Sequence, residues 1–164
     1  MTRYLLMLRH ADAEAARPGH RDLQRRLTDR GLSQAAAAGR WLAEHYRVDA
    51  VLCSPAIRAR ETLAELGVGA PADFPDWLYN AGGDQILSGV RGFDPSVGTA
   101  LVVGHAPGVP ALVYDLIDPE SSDPAAVAMV ESRFPTATVA VLRIDEEWAE
   151  LTWAALIEVR SSSE

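Results

Sequence analysis

The stretch Tyr4-Leu5-Leu6-Met7-Leu8-Arg9-His10-Ala11 is an apolar run that stops on an arginine–histidine pair. The loop after it is polar and broken by Pro18 and Gly19, so the run reads as a buried strand of an α/β sheet. Such a strand delivers an imidazole and a guanidinium together to its carboxyl end. In open α/β sheets that edge is where ligands bind. The planar guanidinium fork suits a phosphoryl group, and imidazole is a competent nucleophile near neutral pH.

Outward from this strand, helices and strands alternate. Leu27-Thr28-Asp29-Arg30-Gly31 predicts a helix entry with Thr28 as N-cap and a helix reaching about Tyr46. Leu32, Ala35, Ala36, Gly39, Leu42 and Ala43 fall on one face of it. Residues 49–53 read as a second strand. Ser54-Pro55 then reads as an N-cap serine with proline at the first helical position, opening a helix that runs to Leu66 and ends at Gly67. Phe74 lies in a short extended segment, and residues 84–91 read as a helix ended by Gly92. Residues 99–103 are a strongly apolar strand running into Gly104-His105, followed by a helix over 107–117. Residues 118–134 are acidic and rich in Ser and Pro, with Pro124 opening a short helix; 137–144 and 148–156 read as the last two strands. This alternation predicts a three-layer α/β/α sandwich with a mostly parallel central sheet. One domain is expected over residues 1–160, with a disordered tail at 161–164.

Composition narrows the function. The net charge is −8, and all 15 basic residues are arginine, which disfavours general nucleic-acid binding but not an anionic substrate. No apolar run approaches the ~20 residues of a membrane span, and the N-terminus shows no secretory pattern, so a cytoplasmic protein without membrane association is expected. The single cysteine, Cys53, forms no internal disulfide and fits no metal-ligand spacing. No metal and no cofactor are expected. The oligomeric state is not legible.

Strand ends gather the candidate chemistry: Arg9 and His10 after the first, Ser54 and Arg58 after the second, His105 after the strand at 99–103. Each strand is followed by a helix, so the loops should open on one sheet edge. Taken singly, Arg9 reads as a surface ion-pair partner, Arg58 as a solvent-facing helix residue and His105 as a core histidine. Taken together they predict a pocket of positive potential beside a helix N-terminus. Arg60 lies about 200° around the helix from Arg58, so both cannot aim at one pocket.

At this point the chain resembles the histidine phosphatase superfamily (phosphoglycerate mutase-like fold), and within it the small SixA-like phosphohistidine phosphatases. The matching pieces are Arg9-His10, Arg26-Leu27-Thr28-Asp29-Arg30-Gly31, Ser54-Pro55-Ala56-Ile57-Arg58-Ala59-Arg60-Glu61-Thr62 and Val102-Val103-Gly104-His105-Ala106-Pro107. Phe134-Pro135-Thr136-Ala137 fits more loosely. The resemblance implies that His10 is the nucleophile and carries a transient phosphohistidine. It implies that Arg9, Arg58 and His105 bind the phosphoryl oxygens. Two departures stand out. Ala11 occupies a position where the family usually has glycine, and the segment 77–84 lacks the glutamate that serves many members as general acid. Asp22 is the closest match to the loop aspartate favoured in the SixA-like group, one position out of register in a longer loop; Asp12, Glu14 and Asp84 are its rivals.

The resemblance therefore implies a metal-independent phosphatase acting on phosphohistidine in a protein. A phosphatase of a small phosphomonoester is the alternative, and a non-catalytic phosphate-binding regulatory module is the second. Releasing imidazole from a P–N bond makes less demand on a proton donor than releasing an alkoxide, which favours the first.

Overall fold

The computed structural model describes residues 1–161. Residues 162–164, within the tail expected to be disordered, lie outside the described residues. The chain order is β1 (Arg3–Arg9), α1 (Asp29–His45), β2 (Ala50–Cys53), α2 (Ile57–Leu66), β3 (Ala72–Asp73), α3 (Gly83–Arg91), β4 (Thr99–Gly104), α4 (Gly108–Leu116), α5 (Pro124–Ser132), β5 (Val139–Ile144) and β6 (Ala155–Arg160). Short 3₁₀ turns lie at Asp22–Gln24, Asp76–Leu78 and Trp148–Glu150.

The strands form one six-stranded sheet in the order β3-β2-β4-β1-β5-β6. The first four are parallel, β5 pairs antiparallel with β1, and β6 pairs antiparallel with β5. Side chains alternate across this sheet because successive Cβ atoms point to opposite faces. Leu6 and Leu8 of β1, with Leu101 and Val103 of β4, pack with Ala38, Trp41, Leu42, Ala59 and Leu66 of α1 and α2. Leu5, Met7, Ala100 and Val102 face the opposite layer, where Ile86, Val90, Val109, Leu112 and Val130 come from α3, α4 and α5. Two apolar faces covered by helices make the three-layer sandwich that the alternating pattern predicts.

Local rules set most boundaries. The Thr28 hydroxyl accepts the Gly31 N–H and caps α1 as expected, and Gly67, at φ 70°, ends α2 in the left-handed region. Gly108 opens α4 against the Ala81 carbonyl, where a Cβ would have no room. That close approach brings the segment carrying Tyr79 and Asn80 over the end of the sheet.

Three boundaries differ from the sequence reading. First, α2 begins at Ile57 and its N-cap is Ala56, because the Ser54 hydroxyl accepts the Ala56 N–H and is also engaged by His105. Second, β5 starts at Val139: Ala137 has φ 60° and its N–H reaches the carbonyls of Arg9 and His10, both at 3.1 Å. Third, residues 148–156 are not one strand. Trp148 turns inward and its indole N–H donates to the Val97 carbonyl at 2.8 Å, so the strand forms later, at Ala155–Arg160.

Candidate active site

Three parallel strands end together. Arg9 is in register with Gly104, and Cys53 with Val103. The ladder runs one step further: His10 N–H donates to Gly104 C=O and Ser54 N–H to Val103 C=O, each at 2.9 Å. Arg9, His10, Ser54 and His105 therefore emerge on one edge, and Arg58 reaches it from the first turn of α2. Arg9, His10, Arg58 and His105 line a cleft of ≈ 360 Å³ together with Asp12, Arg25, Asn80 and Thr136, while Ser54 is buried beneath it.

His10 is 7% exposed, and its ring is fixed at both nitrogens. Nδ1 sits 2.8 Å from the Ala11 carbonyl, which only accepts, so Nδ1 carries the proton. Nε2 receives a hydrogen bond from Arg58 Nε at 3.3 Å, so Nε2 bears the lone pair. Burial lowers the imidazole pKa from 6.5 to about 4, the Ala11 bond opposes this, and Arg58, Arg9 and Arg25 lower it further. The ring is neutral through the physiological range and presents Nε2 to the cleft.

His105 stands edge-on to His10, with ring centroids 5.2 Å apart. Its Nε2 lies 2.7 Å from Ser54 Oγ and its Nδ1 3.4 Å from Arg58 Nη2. Burial lowers its pKa to about 3, with the charges of Arg58 and His10 acting the same way. Arg9 donates from Nη1 to the Phe134 carbonyl at 2.9 Å. Arg60 turns away, as helix geometry predicts: its Nε donates to Pro55 C=O at 3.1 Å and its guanidinium covers the Phe74 ring at 4.3 Å.

Asp22 joins the cluster through Arg58. Arg58 Nη2 donates to Asp22 Oδ2 at 3.0 Å and Nη1 to the Asp22 carbonyl at 2.8 Å. Tyr79 donates its hydroxyl to the same carboxylate, and Arg25 Nη1 reaches Oδ1 at 3.0 Å. The Tyr79 bond above all, then those from Arg25 and Arg58, hold this carboxyl well below the usual carboxylate range. The rival carboxylates are placed differently. Asp12 lines the cleft but accepts the Thr28 hydroxyl at 2.6 Å, Glu14 pairs with Arg17 at 3.3 Å, and Asp84 is exposed in the first turn of α3. Among the described residues no group of three or more His, Cys, Asp and Glu side chains is placed to hold a metal ion.

Sequence reading did not single out Tyr79, Arg25, Asn80 or Thr62 as site residues. Tyr79 and Arg25 reach Asp22, and Arg25 and Asn80 line the cleft. Tyr79 meets Asp22 across 57 residues of chain, so no local pattern marks it. Thr62 was legible only as part of the segment that starts at Ser54.

This constellation, an imidazole lone pair ringed by arginines at a parallel sheet edge, is the kind of site that holds a phosphoryl group. The sequence profile of the histidine phosphatase superfamily (branch 1) matches residues 5–76. Over 88% of its length the chain is 40% identical to the uncharacterized protein Rv1276c of Mycobacterium tuberculosis, spanning 91% of that protein. In three dimensions it is similar to a provisionally assigned phosphohistidine phosphatase SixA from Nakamurella multipartitia, with TM-score 0.88 and 38% identity over 100% of this chain and 98% of that one. It is also similar to the protein histidine phosphatase SixA complexed with tungstate, with TM-score 0.77 and 25% identity over 96% of both chains. The chain belongs to the histidine phosphatase superfamily. Within that superfamily it is SixA-like. No helix among the described residues is long and apolar enough to cross a membrane.

One fully buried hydroxyl ties the loop after β1 to the first turn of α2. Thr62 Oγ1 accepts the Ala11 N–H at 3.0 Å and donates to the Arg58 carbonyl at 2.7 Å. Thr62→Val keeps the shape, removes both bonds and leaves the Ala11 N–H buried without a partner. It should cost about 1–3 kcal/mol in urea unfolding and lower kcat more than it raises KM. Thr62→Ser should restore both quantities. If Ser fails to rescue, the methyl packing and not the paired hydrogen bonds holds the loop.

Proposed function

We propose that the protein is a phosphatase that removes phosphate from phosphohistidine in proteins through a covalent intermediate on His10, without a metal. The observation that carries this reading is the hydrogen bonding that sets the tautomer of His10: Nδ1–H held by the Ala11 carbonyl and the Nε2 lone pair accepting from Arg58. The ring needs no activating base, because it is neutral at the start.

In the first half-reaction the Nε2 pair bonds to phosphorus and the P–N bond to the substrate imidazole breaks. The pair from that bond stays on the leaving nitrogen. A phosphohistidine whose other ring nitrogen is protonated leaves as neutral imidazole, so no proton donor is required. Arg9 and Arg58 match the charge spread over the phosphoryl oxygens, and His105 adds a donor when the incoming negative charge raises its basicity and Nδ1 takes a proton from solvent. In the second half-reaction water attacks phosphorus, the P–Nε2 bond breaks and its pair returns to His10. The water proton passes to Asp22, which is ionised and lies one guanidinium width from His10. Nδ1 keeps its proton throughout, so His10 also leaves as neutral imidazole.

The cleft is bordered by loops with no capping domain among the described residues, which suits a phosphorylated side chain on a large partner better than an enclosed metabolite. Mass spectrometry after an acid-free quench should find phosphate on His10, and His10→Ala should lose turnover. Arg58→Ala should lose about 2–4 kcal/mol of transition-state stabilisation, the range for a removed oxyanion donor, while Arg60→Ala should lose far less. Full turnover by His10→Ala, or equal losses at positions 58 and 60, contradicts this reading.

Asp22→Asn separates the two half-reactions. With a phosphohistidine peptide, phosphoenzyme formation should proceed and its hydrolysis should slow, so phospho-His10 accumulates. With an alkyl phosphate, formation should be slow in wild type and variant alike, because the alkoxide leaves only with a proton and the ionised Asp22 carries none. Rapid-quench measurement of both steps checks this; slowed formation with unchanged hydrolysis would reduce Asp22 to a support of its loop.

A further inference from the structure

The loop between β1 and α1 carries more positive charge than the chemistry above uses. Arg17, Arg21, Arg25 and Arg26 line a shallow cleft of ≈ 160 Å³ with His20, and Glu14 is the one carboxylate among them. Asp22 and Glu61 pair with Arg25 and Arg26 from the rim, so four guanidinium groups meet three carboxylates and leave a local charge of +1, on a chain whose net charge is −8. Glu14 takes Arg17 at 3.3 Å, Asp22 takes Arg25 at 3.0 Å and Arg26 reaches Glu61 at 3.2 Å, while Arg21 has no ion-pair partner among the described residues. The Arg17 and Arg26 side chains are 62% and 68% exposed, so their charge faces solvent.

Two further facts tie this surface to the active site. Arg25 lines both the shallow cleft and the cleft that holds His10, so the two share a wall. The loop is also held in place. Glu14 N–H donates to Arg26 C=O at 2.8 Å, Leu27 N–H to Glu61 Oε1 at 3.1 Å, and Arg58 Nη1 to Asp22 C=O at 2.8 Å. The ion pairs of this loop are solvent-exposed and therefore weak, so carboxylates brought by a partner can exchange into them and engage the unpaired Arg21.

We propose that this cleft is an anion-recognition surface that receives carboxylate side chains flanking the phosphorylated histidine of a protein substrate. The proposal rests on the function given above and names the chemistry of the partner. Carboxylates of a protein fit better than a second phosphate of a small molecule. The guanidinium groups are spread over an exposed loop on long side chains, a pattern that reads an acidic surface, whereas a single phosphate calls for a convergent cage. Arg25 is the hinge between phosphoryl chemistry and partner recognition.

The test uses the full chain, two synthetic phosphohistidine peptides identical except for glutamates or glutamines around the phosphohistidine, and phosphoramidate as a small P–N substrate. Wild type should prefer the glutamate peptide by about tenfold in kcat/KM, mostly through KM, and about 0.5 M salt should erase the preference. The exposed double variant Arg17→Gln/Arg21→Gln should lose the preference and hydrolyse phosphoramidate at the wild-type rate. Equal rates on both peptides by wild type, or a preference that survives the double variant, overturns the proposal while leaving the phosphohistidine reading intact. Preference for a small bisphosphate over its monophosphate, lost in the same variant, would assign the cleft to a second phosphate and overturn it as well. If neither peptide is hydrolysed while phosphoramidate is, the phosphohistidine-protein reading itself falls and takes the proposal with it.

Discussion

A guanidinium that is 6% exposed must find acceptors for its N–H groups inside the protein, and the site is built around how Arg58 does so. Its Nε goes to His10 Nε2, its two Nη atoms go to the carbonyl and carboxylate of Asp22, and one of them also approaches His105 Nδ1. One rigid planar group therefore fixes the spacing between the His10 imidazole, the loop carboxylate and the second histidine. Lysine could not do this, because an ammonium lacks the fork that addresses these acceptors in one plane. Arg58 is itself held from behind, since its own carbonyl takes the Thr62 hydroxyl that also anchors Ala11.

The electrostatics follow from that arrangement. Burial and the neighbouring cations push both histidines toward their neutral forms, while Tyr79, Arg25 and Arg58 keep Asp22 charged. Positive charge thus resides on arginines, which do not titrate, and the imidazoles remain neutral. A phosphoryl dianion entering the cleft competes with Asp22 for the same Nη donors. The unliganded site is in this sense already satisfied by an internal anion, which avoids the cost of a buried, unpaired guanidinium.

Much of the fold was legible because its determinants are local. The apolar runs ending at Arg9, Cys53 and Gly104, the Thr28 cap and the Gly67 stop each act within a turn or two of chain. The misread boundaries fail for a common reason: a side chain with a strong local meaning was claimed by a distant partner. Ser54 reads as a helix cap until His105 engages it, and Trp148 reads as a strand residue until its indole finds Val97. In the site, Arg9, His10, Arg58 and His105 could be named because each sits at or one turn beyond a strand end. Tyr79 and Arg25 could not, since their value lies in reaching Asp22 across the cleft. The carboxylate itself was named by resemblance, while its partners and its ionised state are properties of the folded chain.

The central claim is that His10 is held as a neutral imidazole with its proton on Nδ1 and its lone pair on Nε2. Imidazole ¹⁵N NMR of the unliganded protein across pH 3–8 tests it directly. The account predicts the Nδ1–H tautomer for His10 at neutral pH and protonation only near the shifted value of about 4, with the midpoint rising in Arg58→Ala toward the ordinary 6.5. A His10 that titrates near 6.5 in the intact protein, or that carries its proton on Nε2, would contradict it.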